Sequence, residues 1–354
     1  MNLSKQINMT DLVRSIHETM MHRTETYITI SMDDAYDYNI LGDDVDPDDL
    51  YEELKSYLEK QSLFIGSNAF EDHLSDMLAR MVFGSNMIES AGGGLETTLK
   101  LCRAIFQGQT EGTSEIQEGD ADYEALKNDL VQKGVPHDTD AVLRSHCEIV
   151  QHAKAAVYIM DEVYVNGKDI SEETILQTHR ILTHGLDTEQ GTAWAEYSGV
   201  YRQCDVSAGL HQFLDPRLVP GAMKAMIRSL NQDLQDATEF REINPVALAA
   251  KYSHTFVNIH PFADGNGRVC RLILNAILLK YSGIVVCIGE DEPDRENYME
   301  VMVAGSMAEA SAHEEDMDGL DEHHKPKYYK GLASFTLQHA CDSIRSLCDL
   351  LNEG

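Results

Sequence analysis

The sequence predicts a mainly α protein, on three observations. Apolar residues recur at helical spacing over most of the chain, capping residues stand where those stretches begin and end, and strand-like alternation is confined to two short places. The 354 residues allow one large domain or two ordinary ones, and a composition that is 43% hydrophobic suits a substantial core.

The elements follow in order. "TYITIS", 26–31, reads as a short strand. Asp46 before Pro47 gives an N-cap followed by proline at N1, opening "DDLYEELKSYLEKQ". "LETTLKLCRAIFQ" is a second helix, and the Gly/Thr/Glu-rich 108–122 reads as an exposed loop. Ile149, Ala153, Ala156 and Val157 mark an amphipathic helix over 138–165 that ends by Gly167. Ser171 can cap "EETILQTHRILTHGL". "VYRQCDVSAGLHQF", 200–213, has extended runs around Ala208-Gly209 and predicts a hairpin. Pro220 and Pro245 stand at helix starts, and Gly283 follows "RLILNAILLKYS" as a C-cap. The last helices span about 293–311 and 327–352, with a polar loop over "SAHEEDMDGLDEHH" between them.

Composition excludes several classes. A formal charge of −32, from 28 basic and 60 acidic residues, repels nucleic acid and anionic membranes. The most apolar stretch, "LILNAILLKYSGIVVCIG", is broken by Asn275, Lys280 and Gly283, so it reads as a buried helix. Seven cysteines without a CxxC pair argue against a disulfide scaffold or a zinc site. The first residues hold no apolar block of the signal-peptide kind, and the expected location is cytoplasmic.

The chemistry is concentrated in "HPFADGNGRVCR", 260–271, which lies between two helical patterns. Glycines in a loop that ends at a helix N-terminus let backbone N–H groups converge, and the helix dipole adds partial positive charge. Arg268 and Arg271, three apart in the first turn, can lean over one spot. Cations at a helix N-terminus oppose the dipole unless an anion sits between them. Asp264 is a hard oxygen ligand suited to Mg²⁺, and His260 can take a proton near neutral pH. Asp-Gly and Asn-Gly alone are ordinary turn dipeptides; the combination at this spacing is what singles the stretch out.

The same stretch resembles the Fic-domain motif HPFx[D/E]GNGRxxR at every specified position. The resemblance implies a Fic-type helical bundle with a hairpin flap and an N-terminal helical extension. The implied activity is transfer of AMP from ATP to a Ser, Thr or Tyr hydroxyl of a protein, the chain itself included. His260 would be the base and Asp264 would hold Mg²⁺. Gly265, Asn266 and Gly267 would form the anion hole, Arg268 would meet the γ-phosphate, and Arg271 would support the β-phosphate. Phe262 would anchor the loop in the core. The kinase branch carries Lys where this chain has Gly267, which favours nucleotidyl transfer. The flap is expected near Arg202–Gly209. Tyr298 matches an adenine-contacting tyrosine, although Gly305 stands where relatives often carry an asparagine that reads the base.

Upstream, "SNMIES" resembles the inhibitory helix [S/T]xxxE[G/N], with Ser85 and Glu89 matching and Ser90 departing. The resemblance implies that Glu89 pairs with Arg268 and fills the place of the γ-phosphate. The expected division is an N-terminal helical region, 1–135, and a Fic domain, 136–354. Expected partners are ATP and a protein target, with no nucleic acid and no membrane; a homodimer is compatible. The alternatives are removal of AMP or transfer of another nucleotide by the same site, and a nucleotide-sensing module without turnover.

Overall fold

The structure, a computed structural model, describes residues 27–28, 35–40, 47–64, 68–108, 116–208, 211–314 and 326–352. Its N-terminal part runs β1 (Tyr27–Ile28), α1 (Pro47–Phe64), α2 (Asn68–Ile88), α3 (Leu95–Phe106) and α4 (Ala121–Lys133). There follow α5 (Thr139–Met160), which runs on through a π-helical turn at Asp161–Val165, then α6 (Glu172–Leu182) and the single turn α7 (Trp194–Tyr197). A hairpin of β2 (Ser207–Ala208) and β3 (His211–Gln212) leads to α8 (Val219–Phe240) and β4 (Glu242–Ile243). The chain finishes with α9 (Pro245–Ile259), α10 (Asn266–Ser282), α11 (Glu292–Glu314) and α12 (Lys330–Asn352). The fold is mainly α, as the periodicity predicts.

The caps form where the sequence puts them. Ser171 accepts from the Thr174 N–H, Asn244 from the Ala247 N–H just before Pro245, and Gly283 ends α10 in the left-handed region. Several boundaries differ from expectation; α6 stops at Leu182, four residues short, and α12 begins at Lys330. Of 26–31, only 27–28 lies within the described residues; it is a strand, paired in parallel with β4, which the sequence did not announce. Helix α4 opens at Ala121, inside the expected loop, after Asp120, whose side chain accepts from the Gln117 N–H and not from the helix; residues 109–115 of that loop lie outside the described residues. Helix α11 continues to Glu314, so the expected polar loop starts later, and its 315–324 lie outside the described residues. The hairpin strands are 207–208 and 211–212, downstream of most of the expected Arg202–Gly209; residues 209–210 lie outside the described residues.

Helix α10 is the centre. Every residue from Arg268 to Leu279 is buried, so no face of the helix is left to solvent over that span. It packs on α9 and touches α2, α5 and α6. One hydrophobic cluster takes in Leu78, Val82 and Leu101 from the N-terminal region together with Ile149, Phe256 and Leu272. The expected boundary at 135/136 thus falls in the turn after Gly134, but the two sides share a core. Among the described residues, no helix is long and apolar enough to cross a membrane, and all seven cysteines are unpaired.

Candidate active site

The loop between α9 and α10 carries the motif. Helix α9 ends because His260 adopts φ 47°, ψ 62°, with its N–H on the Phe256 carbonyl at 3.0 Å. That left-handed turn swings the imidazole off the helix axis onto Phe213, with ring centroids 3.8 Å apart. His260 Nδ1 lies 3.2 Å from the Val257 carbonyl, so Nδ1–H donates and the basic lone pair sits on Nε2.

The loop is held by its own residues. Asn266 turns back, its Oδ1 accepting from the Phe262 N–H (2.9 Å) and its Nδ2 donating to the Phe262 carbonyl (2.8 Å). Its side chain is therefore spent on closing the loop, and the anion hole expected of Gly265, Asn266 and Gly267 is a matter of backbone. Gly265 is left-handed at φ 76° and opens α10, whose first N–H groups have no carbonyl behind them. Phe262 is fully buried, stacked on His179 at 3.6 Å with a 5° interplanar angle.

His179 is a site residue that sequence reasoning missed. The Gly199 N–H donates to its Nδ1 (2.8 Å), so Nε2 carries the proton and donates to the Asp264 carbonyl (2.9 Å). Burial, reinforced by Arg268 and Arg180 and only partly offset by the Asp264 bond, drops its pKa to about 3. The available signal was a histidine on the buried stripe of an amphipathic helix. Its linkage sign is fixed: the unfolded chain takes up a proton near pH 6.5 that the fold refuses until about 3. Stability is therefore expected to fall as pH drops below about 6.5, by up to about 1.4 kcal/mol per pH unit from this group. Urea melts across that acid range should show a shallower pH slope for His179→Asn than for the natural chain.

Arg202 also differs from its expected place in the flap. It is buried, with its guanidinium on the carbonyls of His260 (Nε, 2.6 Å) and Cys204 (Nη1, 3.0 Å), and its own N–H on the Pro261 carbonyl (2.9 Å). It ties the chain entering the hairpin to the backbone of His260, because those loop carbonyls have no helix to satisfy them.

The two arginines of α10 part company. Arg271 donates from Nε to Ser85 Oγ (2.8 Å), and from Nη2 to the Ser85 carbonyl (2.8 Å) and Glu89 Oε1 (2.7 Å). Its guanidinium lies over the Tyr298 ring at 5.6 Å, and Tyr298 is itself buried against Phe335. The expected Glu89–Arg268 pair is thus replaced by Glu89–Arg271. Residues 268 and 271 share a turn, and the crossing of α2 over α10 brings Ser85 and Glu89 to the second. Arg268 is buried too, but its nearest carboxylate oxygen, on Asp264, is 3.8 Å away. Its Nε and Nη1 have no hydrogen-bond partner among the described residues. Buried, unpartnered guanidinium donors beside a helix N-terminus make a place for an anion.

Burial pushes the Glu89 carboxyl up, but Arg271, Arg268, the Arg271 hydrogen bond and His260 outweigh it and hold its pKa below the usual range. The carboxylate sits over Gly267, where an added Cβ would come within 2.1 Å of Glu89 Oε1. Glu89 is the C-cap of α2. The Ala91 N–H bonds the Asn86 carbonyl (2.9 Å) and the Ser90 N–H that of Met87 (3.0 Å), which is a Schellman ending. Ser90 occupies its left-handed position at φ 55°. This explains why Gly or Asn suits that position, and it makes Ser90 a strained residue. Ser90→Gly is expected to raise stability by about 1 kcal/mol, read in denaturant melts.

Gly305 has no room for a side chain: a Cβ would lie 2.8 Å from the Tyr328 carbonyl oxygen and 3.0 Å from the His254 ring. Asp264, the expected metal ligand, belongs to no group of three or more His, Cys, Asp or Glu among the described residues that could hold an ion without further ligands. One carboxylate fits Mg²⁺ that takes its other ligands from phosphates and water.

Residues 169–278 match the Fic/DOC family. A Fido domain-containing protein of Dictyostelium discoideum is 42% identical over 83 residues, 23% of this chain and 55% of that one. The protein adenylyltransferase Fic of Nematostella vectensis is 29% identical over 160 residues, 44% and 34% of the two chains. The chain spans between a quarter and just over half the length of the curated relatives it matches. A Fic domain-containing signaling protein from Bacteroides thetaiotaomicron superposes with TM-score 0.56 at 18% identity, covering 85% of this chain and 97% of that one. A Fic-1 fragment from C. elegans gives 0.53 at 17%, covering 98% and 73%. These two likenesses speak for the fold.

Proposed function

We propose that this Fic domain transfers AMP from ATP to a protein hydroxyl, and that Glu89 restrains it. The observation that carries the reading is the buried cation pair at the start of α10, one guanidinium with unpartnered donors and the other held by Glu89. In the reaction the target oxygen forms a bond to the α-phosphorus, the bond from that phosphorus to the bridging oxygen breaks, and pyrophosphate leaves. The hydroxyl proton passes to His260 Nε2, whose tautomer suits a base. The N–H groups opening α10 and the Arg268 donors face developing phosphate charge, which is where preorganised dipoles act most strongly. Mg²⁺, held by Asp264 with the phosphates, would neutralise charge on the leaving group.

Glu89 acts by place and by sign. Its carboxylate lies over the Gly267 backbone and takes the Arg271 donor that a β-phosphate would use. It puts negative charge where the triphosphate must lie. Tyr298, stacked under Arg271, braces that guanidinium, and we place the adenine beyond it. The packing around Gly305 means that the base edge is read by groups other than a residue-305 side chain. The names of the Nematostella and insect relatives, protein adenylyltransferase Fic, agree with this reaction. The test is intact mass spectrometry of the Glu89→Gly protein after incubation with Mg·ATP. Addition of adenylyl groups is expected; addition of phosphoryl groups, or no change, would overturn the assignment.

A further inference from the structure

A second cleft, of about 800 Å³, opens on a different face of α2 from Ser85 and Glu89. It lies between α2, the start of α11 and α12, and its lining includes Met77 and Cys287. Six carboxylates line it against two arginines. The arginines are already committed. Asp76 takes both Arg80 and Arg103, and Arg80 also reaches Glu290 at 3.0 Å. On the α12 side, His339 pairs with Asp294 at 2.9 Å. Asp72 on α2 and Asp291 at the head of α11 are left with no ion pair among the described residues; Asp291 only caps the Asp294 N–H.

An independent feature points to a ligand. His73, nine-tenths buried, lines the cleft, and neither of its ring nitrogens finds a hydrogen bond among the described residues. Its ring nitrogens are not among the atoms sealed from solvent, so they reach the cleft and can meet a donor placed there. A cleft with an excess of negative charge also concentrates cations. The size suits a small molecule, and the mixed lining suits one that is cationic at intervals and apolar between them. The carboxylates do not converge into a metal cage, since no three-ligand group occurs among the described residues.

We propose that this cleft binds a linear polyamine, with ammonium groups on Asp72 and Asp291, one of them hydrogen-bonded to His73, and methylenes along Met77 and Cys287. Such a ligand bridges α2 to α11, where Arg80–Glu290 and the bond from Arg295 Nε to the Ile88 carbonyl (3.2 Å) already tie them. It would therefore protect α2 from opening.

The test is calorimetric titration of the full chain with spermidine at physiological salt, with hydrogen exchange of α2 measured alongside. Expected are saturable binding at one site, slower exchange in α2, and affinity weakened about tenfold or more by Asp72→Asn with Asp291→Asn. Asn at 291 still caps α11, so folding is spared. Because the whole chain is acidic, Glu118→Gln with Glu239→Gln, exposed and outside the cleft lining, serves as the charge-matched control and should bind as the natural protein does. Equal weakening in both pairs would mean general attraction to an acidic chain and would overturn the site, as would absence of saturable binding. Displacement of spermidine by equimolar Mg²⁺ would overturn the ligand class. None of these readings depends on AMP transfer.

Discussion

Replacing His260 by alanine is expected to lower AMP transfer by about 10²–10⁴-fold, the usual cost of losing a general base. Nucleotide binding should survive. His260 caps α9 and stacks on Phe213, whereas the groups assigned to phosphate belong to α10. The left-handed backbone at 260 costs an alanine about 1–2 kcal/mol, so the variant needs a melt to show that it is folded. His260→Asn tolerates that backbone better and should be as inactive. Binding of a fluorescent ATP analogue with near-natural affinity, together with abolished transfer, would separate a missing base from a broken cradle. Full activity in either variant would remove His260 from the chemistry.

Glu89→Gly is expected to raise transfer by roughly tenfold or more. The substitution removes a charge-assisted hydrogen bond to a buried guanidinium, worth about 1.5–3 kcal/mol in general and less here, because the Glu89 side chain is 37% exposed. It frees Arg271 and clears the space over Gly267 without touching His260 or the Asn266 loop clamp. Because Arg271 and not Arg268 makes the bond, Arg268→Ala should leave Glu89 in place and the natural restraint intact. It should weaken transfer in the Glu89→Gly background, since its unpartnered donors then no longer serve the phosphates. The Glu89 carboxyl titrates below the usual range, so acidification should not release it until pH falls below about 4.5.

Much of the candidate site was legible because its chemistry is local. A stretch that joins two helical patterns through Asp-Gly-Asn-Gly must form a loop that opens at a helix N-terminus, whatever packs around it. Ser85 and Glu89, four apart, had to share a helix face. What spacing could not decide was which arginine they meet. Residues 268 and 271 lie three apart near the start of α10, and only the crossing of α2 chooses between them. Arg202 and His179 were hidden for a related reason. Each satisfies backbone groups of a loop distant in sequence, and a polar residue on a buried face gives no hint of which loop. Ser90 was visible as a departure from the pattern; its left-handed backbone supplies the reason. The parallel pairing of β1 with β4 joins two-residue strands some two hundred positions apart, too short to carry an alternation.

The central claim is that Glu89 masks a site that moves the adenylyl half of ATP. Its most direct test is a time course of protein labelling with ATP carrying the radioactive phosphorus at either the α or the γ position. The natural chain and Glu89→Gly are compared at equal concentration with Mg²⁺. The account predicts label from the α position alone, slow in the natural chain and roughly tenfold or more faster in the variant. Label from the γ position would contradict nucleotidyl transfer, and equal rates from the α position would contradict the restraint by Glu89.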